Sequence, residues 1–150
     1  MPETNTFRIS SPAFEEGGKI PVQFTCDGRD ISPPLEIKGI PGKTASLALV
    51  VEDPDAPAGN WVHWVVWNIK PGEFIGENSI PGTEGVNDFG KHHYGGPCPP
   101  SGTHRYYFRA YALDTSLSIP GSSDRYALAE AIEGHVLAES AWMGRHTRAR

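Results

Sequence analysis

The sequence predicts a mainly β protein, a two-sheet antiparallel β-sandwich with a helix near the C-terminus. Seventeen glycines and fourteen prolines in 150 residues argue against a helical bundle and favour short strands joined by turns. Several apolar runs have the length of a strand and are rich in β-branched and aromatic residues. No composition break, repeat or low-complexity linker interrupts the chain, so residues 1–150 are predicted to form one domain.

The first half of the chain predicts short strands followed by a long buried one. Two short strands are expected at 7–9 and 20–24, separated by a turn rich in glutamate and glycine. Segment 31–37 is predicted to be extended but not a central strand, because it contains two prolines. The run 46–51 is apolar throughout, which indicates a central strand covered on both faces. Residues 61–69 predict a further long strand.

The second half predicts another long strand at 104–113 and the only convincing helix at 123–133. A residue within 122–124 can cap this helix, and Leu128 with Ile132 forms an apolar pair one turn apart. The stretch 138–147 can either continue the helix or return as a strand. A strand is the favoured prediction.

Charge and the chain start limit the classes of partner. The net charge of −5 gives no general attraction to nucleic acid or to an anionic membrane, so at most peripheral membrane contact is expected. The first residues lack the basic and apolar segments of a secretory signal, and no apolar run is long enough to span a bilayer. These features predict a cytoplasmic location.

Cys26 and Cys98 are the only cysteines, and each lies in a turn-like context. Buried thiols are the expected state for a cytoplasmic protein. A disulfide is the alternative, because both loops can border one pocket.

Three polar residues lie at or near the ends of predicted strands: Asp53, His63 and His104. Strict alternation along each strand puts them on the face of apolar neighbours, namely Leu49 and Val51 for Asp53, Val65 and Trp67 for His63, and Tyr106 and Phe108 for His104. If the three strands are neighbours, one carboxylate and two imidazoles converge at one rim of the sheet.

Such a set suits a small anion. A nearby carboxylate favours the protonated form of an imidazole, so His63 and His104 are expected to be more easily protonated. Backbone N–H groups of the glycine pair at 95–96 add donors for a phosphate or carboxylate group. Aromatic walls are expected from Trp61, Tyr94 and Tyr106. Arg105 is expected to be a structural ion-pair partner of Asp53 or Asp55, and a single buried histidine is more often a satisfied core residue than a ligand group.

Two other classes compete with an anion-binding protein. A hydrolase could use Ser101 or Cys98 as the nucleophile beside His104, but no Gly-x-Ser-x-Gly elbow is present. A metal-binding protein could use His63, His104 and Asp53, but no His-x-His or Cys-x-x-Cys spacing supports it. The Asp-Phe-Gly triplet at 88–90 spells a kinase motif, yet no glycine-rich nucleotide loop precedes it, and it is interpreted as a coincidence.

An ordered set of motifs resembles the phosphatidylethanolamine-binding proteins, in their bacterial and archaeal, Raf-kinase-inhibitor-like branch. The motifs are Cys26-Asp-Gly28, Ser32-Pro-Pro-Leu35, Asp53-Pro-Asp-Ala-Pro57, His63-Trp64, Tyr94-Gly-Gly-Pro-Cys-Pro-Pro100 and Gly102-Thr-His-Arg-Tyr106. The resemblance runs from about residue 14 to residue 111, and more loosely through the C-terminal helix.

The resemblance implies a β-sandwich with a small anion pocket at one end. Carried over by motif, Asp53, His63 and His104 line that pocket, with Tyr106 and Pro97 as its walls. Structural support is expected from three further residues, Arg105, Asp55 and Pro57. No metal and no cofactor are implied, and ligand binding is expected to weaken as the pH rises through the titration of the histidines.

The resemblance also implies a non-enzymatic binding or inhibitory protein. Its ligand would carry a phosphoryl or carboxylate group, as in a phospholipid head group, a nucleotide or an acidic peptide. A kinase or protease target and a homodimer are further expectations. The chain lacks the longer insertions of the eukaryotic relatives, so partners known only for those relatives are not carried over.

Overall fold

Two antiparallel sheets and one helix make up the protein, which a computed structural model describes over residues 6–148. In chain order the elements are β1 (Arg8–Ser10), β2 (Leu35–Lys38), β3 (Ser46–Asp53), β4 (Trp61–Ile69), β5 (Phe74–Ile75), β6 (Thr83–Glu84), β7 (Thr103–Leu113), α1 (Arg125–Ile132) and β8 (Val136–Thr147). The smaller sheet has the order β1-β2-β5, and the larger one has the order β6-β4-β3-β7-β8. The predicted fold class is confirmed.

The larger sheet is covered on both faces. All eight residues of β3 are buried, as the apolar run predicts. Leu49 and Val51 pack toward the smaller sheet, whereas Val50 packs in the cluster that contains Leu128 and Ile132 of α1. The alternation along β3 therefore separates two hydrophobic clusters, one between the sheets and one under the helix.

Two predictions for the first half of the chain are wrong. Residues Val22–Phe24 form a single 3₁₀ turn and not a strand, because Pro21 precedes it and the Thr25 hydroxyl donates to the Val22 carbonyl at 2.8 Å. β2 is the central strand of the smaller sheet. The prolines that argued against a central strand lie just before it, where no ladder N–H is required.

The predicted C-terminal helix and strand are confirmed. Asp124 caps α1, its Oδ1 accepting from the backbone N–H groups of Tyr126 at 3.0 Å and Ala127 at 2.9 Å. Gly134, with a φ of 82°, then turns the chain from the helix into β8. β8 pairs with β7 from Val136 to Thr147. Within residues 6–148, no helix is both long enough and apolar enough to cross a membrane.

A buried carboxylate ties α1 to the larger sheet. Glu52 of β3 accepts hydrogen bonds from the Nε atoms of Arg109 at 2.7 Å and Arg125 at 3.2 Å, and from Asn60 Nδ2 at 2.9 Å. Burial by itself raises the pKa of Glu52, but these hydrogen bonds and the Arg125 charge outweigh it, so the pKa is lowered overall.

Replacing Glu52 by glutamine is expected to lower the free energy of unfolding at pH 7 by about 2 kcal/mol, because charged hydrogen bonds to both arginines are lost. The deficit should shrink as the pH falls below the ordinary glutamate range, since the stabilising contribution of a carboxyl with a lowered pKa is lost when it is protonated. Urea unfolding at several pH values measures both effects. The matched control is Glu139→Gln at an exposed position of β8, and an equal loss in both variants would contradict the interpretation.

Candidate functional site

A cavity of about 330 Å³ opens at one end of the larger sheet. Its polar lining comes from Asp53, His63, His104 and Tyr106. Asp53 ends β3, while His63 and His104 lie near the starts of β4 and β7. Because β3 runs antiparallel to both neighbours, these strand ends share one edge of the sheet. The three polar residues singled out in the sequence therefore do meet.

Asp53 and His104 form a buried pair. The Nδ1 atom of His104 lies 2.7 Å from Oδ2 of Asp53, and the side chains are 9% and 4% exposed. The other carboxylate oxygen, Oδ1, accepts from the backbone N–H of Asp55 at 2.7 Å. Both oxygens of Asp53 are thus engaged, so Nδ1 of His104 carries a proton and Nε2 is the ring nitrogen left for the cavity.

A β-bulge sets the direction of His63. The pairing of β3 with β4 shifts by one residue at this position, so His63 is the extra residue in β4. Trp64 packs between the sheets, whereas Val65 and Trp67 pack on the helix side. The ring centroids of His63 and Tyr106 lie 5.3 Å apart, and Tyr106 belongs to the hydrophobic cluster between the two sheets. The prediction that His63 shares a face with Val65 and Trp67 is therefore wrong, because the bulge interrupts the alternation.

The surroundings of His63 keep it neutral. Nδ1 of His63 donates to the carbonyl oxygen of Gly95 at 2.7 Å. Burial lowers the pKa of His63, and this effect outweighs the Gly95 carbonyl and the Asp53 charge, which act in the opposite direction. The expectation that a nearby carboxylate makes both imidazoles easier to protonate is wrong for His63, because desolvation is the larger effect.

The glycine pair is used by the fold and leaves no backbone donor for a ligand. The N–H of Gly95 donates to the His63 carbonyl at 3.0 Å, and the N–H of Gly96 donates to Asp30 Oδ1 at 2.7 Å. A side chain at Gly96 would place its Cβ 2.6 Å from the backbone carbonyl oxygen of Phe24, so only glycine fits there. The expectation that these N–H groups bind an anion is wrong.

Tyr106 is fully buried, and its hydroxyl has no hydrogen-bond partner among residues 6–148. The Cys98 backbone lies close to this oxygen without reaching hydrogen-bond geometry. Burial raises the pKa of Tyr106, so the hydroxyl stays neutral and can donate. An unpaired buried hydroxyl on a cavity wall is costly unless a bound group satisfies it.

The aromatic wall differs in part from the prediction. Trp61 lines the cavity as expected, but Tyr94 lies outside it, with its hydroxyl donating to the Phe24 carbonyl at 2.7 Å. Phe89, which the sequence interpretation missed, lines the cavity. Its ring centroid lies 5.6 Å from that of Trp61 and 5.2 Å from that of His63. Its place in a short polar loop gave no periodic signal. Phe89 is partly exposed and lies beside the rings of Trp61 and His63, a position that only the folded structure shows.

The proline-rich loop contributes Cys98, Pro99 and Pro100 to the cavity wall, whereas Pro97 lies outside the lining. The Pro97 carbonyl accepts instead from the backbone N–H of Cys26 at 3.1 Å. This hydrogen bond holds the two loops side by side, and Cys26 and Cys98 form a disulfide with their Cα atoms 5.4 Å apart. The expectation of buried thiols is therefore wrong. The disulfide, which was the alternative prediction, is present in the structure.

The loop after β3 is braced from outside the cavity. Arg105 donates from Nη2 to Asp55 Oδ1 at 2.8 Å, and from Nε and its backbone N–H to Oδ2 at 2.9 Å. Of the two carboxylates left open by the sequence, Asp55 is the partner, and Arg105 holds the pKa of Asp55 at about 2. Pro57, expected only as support, lines the cavity directly.

The two competing site chemistries find little support. Cys98 is held in the disulfide and offers no thiolate, while Ser101 is exposed and lies outside the cavity lining. Over residues 6–148, no group of three or more histidine, cysteine, aspartate or glutamate side chains is arranged to hold a metal ion.

Comparison with known proteins places the chain in one family. The sequence model for "Phosphatidylethanolamine-binding protein" matches residues 10–147. A UPF0098 protein of Archaeoglobus fulgidus is 52% identical over 92% of this chain, which spans only half the length of that relative. A UPF0098 protein of Methanothermobacter thermautotrophicus is 46% identical over 93% of this chain and 98% of its own length.

Two solved structures share the fold. The phosphatidylethanolamine-binding protein homologue CT736 from Chlamydia trachomatis superposes with a TM-score of 0.94 at 40% identity, covering 97% of this chain and all of that one. YbcL from Escherichia coli, described as a member of the mammalian PEBP family, gives a TM-score of 0.87 at 28% identity, covering 95% of this chain and 99% of that one. The match over residues 10–147, together with relatives that are 52% and 46% identical, shows that this chain belongs to the phosphatidylethanolamine-binding protein family.

Proposed function

We propose that this chain is a non-enzymatic binding protein whose cavity takes a phosphoryl or carboxylate group of a small ligand. The observation that carries the proposal is the buried, unpaired hydroxyl of Tyr106 on the wall next to His104. Asp53 orients His104 through Nδ1, which leaves Nε2 free to donate to an anionic oxygen when the ring is protonated. Hydroxyl and imidazolium together form a donor pair for one anion.

The dimensions of the cavity leave room for more than the anion itself. Its volume of about 330 Å³ exceeds that of a single phosphoryl or carboxylate group. The additional space lies against Trp61, Phe89 and Pro100. An apolar or aromatic substituent of a phospholipid head group, a nucleotide or an acidic peptide fits this part of the wall.

Inhibition of a kinase or protease belongs to the same proposal. A target protein that presents a carboxylate or phosphorylated side chain would enter the cavity as a small ligand does, and the binder would then block its partner. Homodimer formation remains a separate prediction, which sedimentation analysis tests. No phosphoryl or acyl transfer by this chain is proposed.

The cytoplasmic location remains a prediction, and the disulfide bears on it. Disulfides persist in oxidising compartments and are rare in a reducing cytosol. A cytoplasmic protein would therefore hold Cys26 and Cys98 largely as thiols. Alkylation of rapidly quenched cells tests this, because blocked thiols support the cytoplasm whereas a protected disulfide argues against it.

Replacing Tyr106 by phenylalanine tests the proposal. The affinity for inorganic phosphate is expected to fall roughly tenfold, since one hydrogen bond to the anion is lost. The melting temperature should not fall, because the substitution removes a hydroxyl that has no partner in the fold. Titration calorimetry and thermal unfolding measure the two quantities.

Tyr107→Phe is the matched control, because its hydroxyl lies outside the cavity and contacts Arg105. It should leave phosphate binding unchanged. If Tyr106→Phe lowers stability while phosphate binding is kept, the hydroxyl has a structural role and the proposal fails.

A further inference from the structure

The helix side of the larger sheet is only half covered. The last residues of β7 are buried in the hydrophobic cluster under α1. Toward the start of the strand the same face carries Arg105, Tyr107 and Arg109, which are exposed or half-buried. His104 and Tyr106 alternate with them along β7 and face the cavity instead. This uncovered face is therefore separate from the anion cavity.

Two arginines lie directly opposite each other on this face. Arg105 of β7 is paired with Arg145 of β8. Both backbone groups of Arg145 bond away from β7, since its N–H donates to the Gly18 carbonyl and its carbonyl accepts from the Ile20 N–H, each at 2.8 Å. The arginines are thus a non-hydrogen-bonded pair, the kind in which opposite side chains lie closest. Like charges in this position destabilise a sheet, so the stability of the fold does not explain the pair.

Carboxylates of the fold balance only part of the charge on this face. Asp55 binds Arg105, and the buried Glu52 is shared between Arg109 and an arginine of α1. Arg145 is exposed and forms no ion pair with a carboxylate of residues 6–148. Its Nε donates to a backbone carbonyl at 2.6 Å. The face therefore has an excess of positive charge, although the net charge of the chain is −5.

An aromatic and apolar area lies between the arginines. Tyr107 and Met143 are opposite each other in the register, and both are half-buried. The guanidinium carbons of Arg105 and Arg109 lie 5.8 Å and 4.7 Å from the centroid of the Tyr107 ring. Because two guanidinium groups already occupy the surroundings of the ring, a nucleic-acid base finds little room to stack on it. Arginine nitrogens that face solvent suit carboxylates instead.

The spacing of these side chains matches an extended acidic segment. Arg109 lies four residues beyond Arg105 on β7, which is about 13 Å along the strand, and Tyr107 is midway. In an extended peptide, residues i, i+2 and i+4 face one side with the same spacing. Carboxylates at i and i+4 then meet the Arg105–Arg145 pair and Arg109. An apolar residue at i+2 packs on Tyr107 and Met143.

We propose that this face, called the arginine surface and formed by Arg105, Tyr107, Arg109, Met143 and Arg145, binds an acidic segment of a partner protein. The segment is extended and has the pattern acidic-x-apolar-x-acidic. A second copy of this chain is a poorer occupant, because two-fold packing of identical faces sets arginines against arginines. The anion cavity lies on the other side of β7, so the inference does not depend on the proposed function.

Two blocked peptides of the same composition test the pattern. Thr-Glu-Thr-Leu-Thr-Glu-Thr has the predicted spacing, whereas Thr-Thr-Glu-Glu-Leu-Thr-Thr has adjacent glutamates. In a magnetic resonance titration of the nitrogen-labelled whole chain, the first is expected to bind about threefold to tenfold more tightly. Its shifts should centre on β7 and β8 and weaken with added salt. Absence of binding by the first peptide, or equal affinities of the two, would overturn the inference.

Replacing Arg145 by glutamine should weaken the patterned peptide about threefold to tenfold. Arg8→Gln is the matched control, because Arg8 is also exposed and donates to a backbone carbonyl, but on β1. It should leave peptide binding unchanged. Stability should fall no more in Arg145→Gln than in Arg8→Gln, since only the former relieves a repulsive pair. A larger loss of stability in Arg145→Gln with unchanged peptide binding would make Arg145 a structural brace and contradict the inference.

Titration of the patterned peptide into His104→Gln separates the arginine surface from the cavity. Binding equal to that of the wild type supports a location on the arginine surface. A loss would place the carboxylates in the cavity, which overturns the inference and leaves the proposed function standing. Tighter binding of an oligothymidylate, or a dimer in sedimentation that Arg145→Gln dissociates, would assign the surface to nucleic acid or to a second copy. Either result would also overturn the inference.

Discussion

Replacing His104 by glutamine is expected to weaken the binding of inorganic phosphate about a hundredfold, which corresponds to roughly 3 kcal/mol. The substitution removes the imidazole donor from the cavity. It also leaves the Asp53 carboxylate, only 4% exposed, without its imidazole partner and close to an incoming anion. Loss of an attraction and gain of a repulsion act in the same direction, so this is the largest binding effect expected for a single residue.

Two other histidine–aspartate pairs provide matched controls. His135 and Asp114 lie 2.8 Å apart on the surface, and His146 and Asp27 lie 2.8 Å apart in a buried setting. His146 is paired with His104 across β7 and β8 but does not line the cavity. Glutamine at His135 or His146 should leave phosphate affinity unchanged. Equal losses in all three variants would point to a general electrostatic or folding effect and contradict the assignment of His104.

The pH dependence of sulfate binding gives an independent check on the same residue. Sulfate has no titratable proton near neutrality, so only the protein can supply one. Because burial lowers the pKa of His63 and keeps its ring neutral, His63 should take up no proton on binding. Weakening with rising pH by more than a factor of ten per pH unit would require two protonated imidazoles and would contradict this arrangement.

Reducing the Cys26–Cys98 disulfide is expected to lower the free energy of unfolding by about 4 kcal/mol. The two cysteines are 72 residues apart in sequence, so the crosslink restricts a long loop of the unfolded chain. The double substitution Cys26→Ser and Cys98→Ser should reproduce the effect without reductant. Urea unfolding of the oxidised, reduced and double-serine proteins measures it.

Reductant should have no effect on the double-serine protein, which is the control for side effects of the reagent. The loss of binding free energy for phosphate should be smaller than the loss of unfolding free energy. The disulfide holds only the Cys98–Pro100 part of the cavity wall and none of its polar groups. A loss of stability below about 1 kcal/mol on reduction would show that the hydrogen bond from Cys26 to Pro97 already holds the two loops together in the unlinked protein.

Much of the larger sheet can be predicted because its strands carry their own signals. The apolar run of β3 and the β-branched and aromatic runs of β4 and β7 mark three long neighbours, and side-chain alternation then puts Asp53 and His104 on one face. The strand at 20–24 failed because it is too short to have a period, and Pro21 starts a turn there.

Hydrogen bonds between segments that are distant in sequence could not be predicted in the same way. The amide groups of Gly95 and Gly96 look free in the sequence, but the first meets the His63 carbonyl and the second meets Asp30, 66 residues away. The sequence also does not show that Tyr94 turns toward Phe24 while Phe89 closes the cavity. Each of these outcomes depends on which segments fold against one another.

The sequence by itself determines the sandwich, its long strands, the capped helix, and the presence of an aspartate and two histidines at strand ends. The tertiary structure alone decides what these groups do. A one-residue bulge turns His63 into the cavity, a carbonyl partner with burial keeps it neutral, and a carboxylate partner orients His104. The physical reason is that strand patterns are local in sequence. Register shifts, desolvation and the disulfide between residues 26 and 98 depend on contacts that exist only once the sheets have packed.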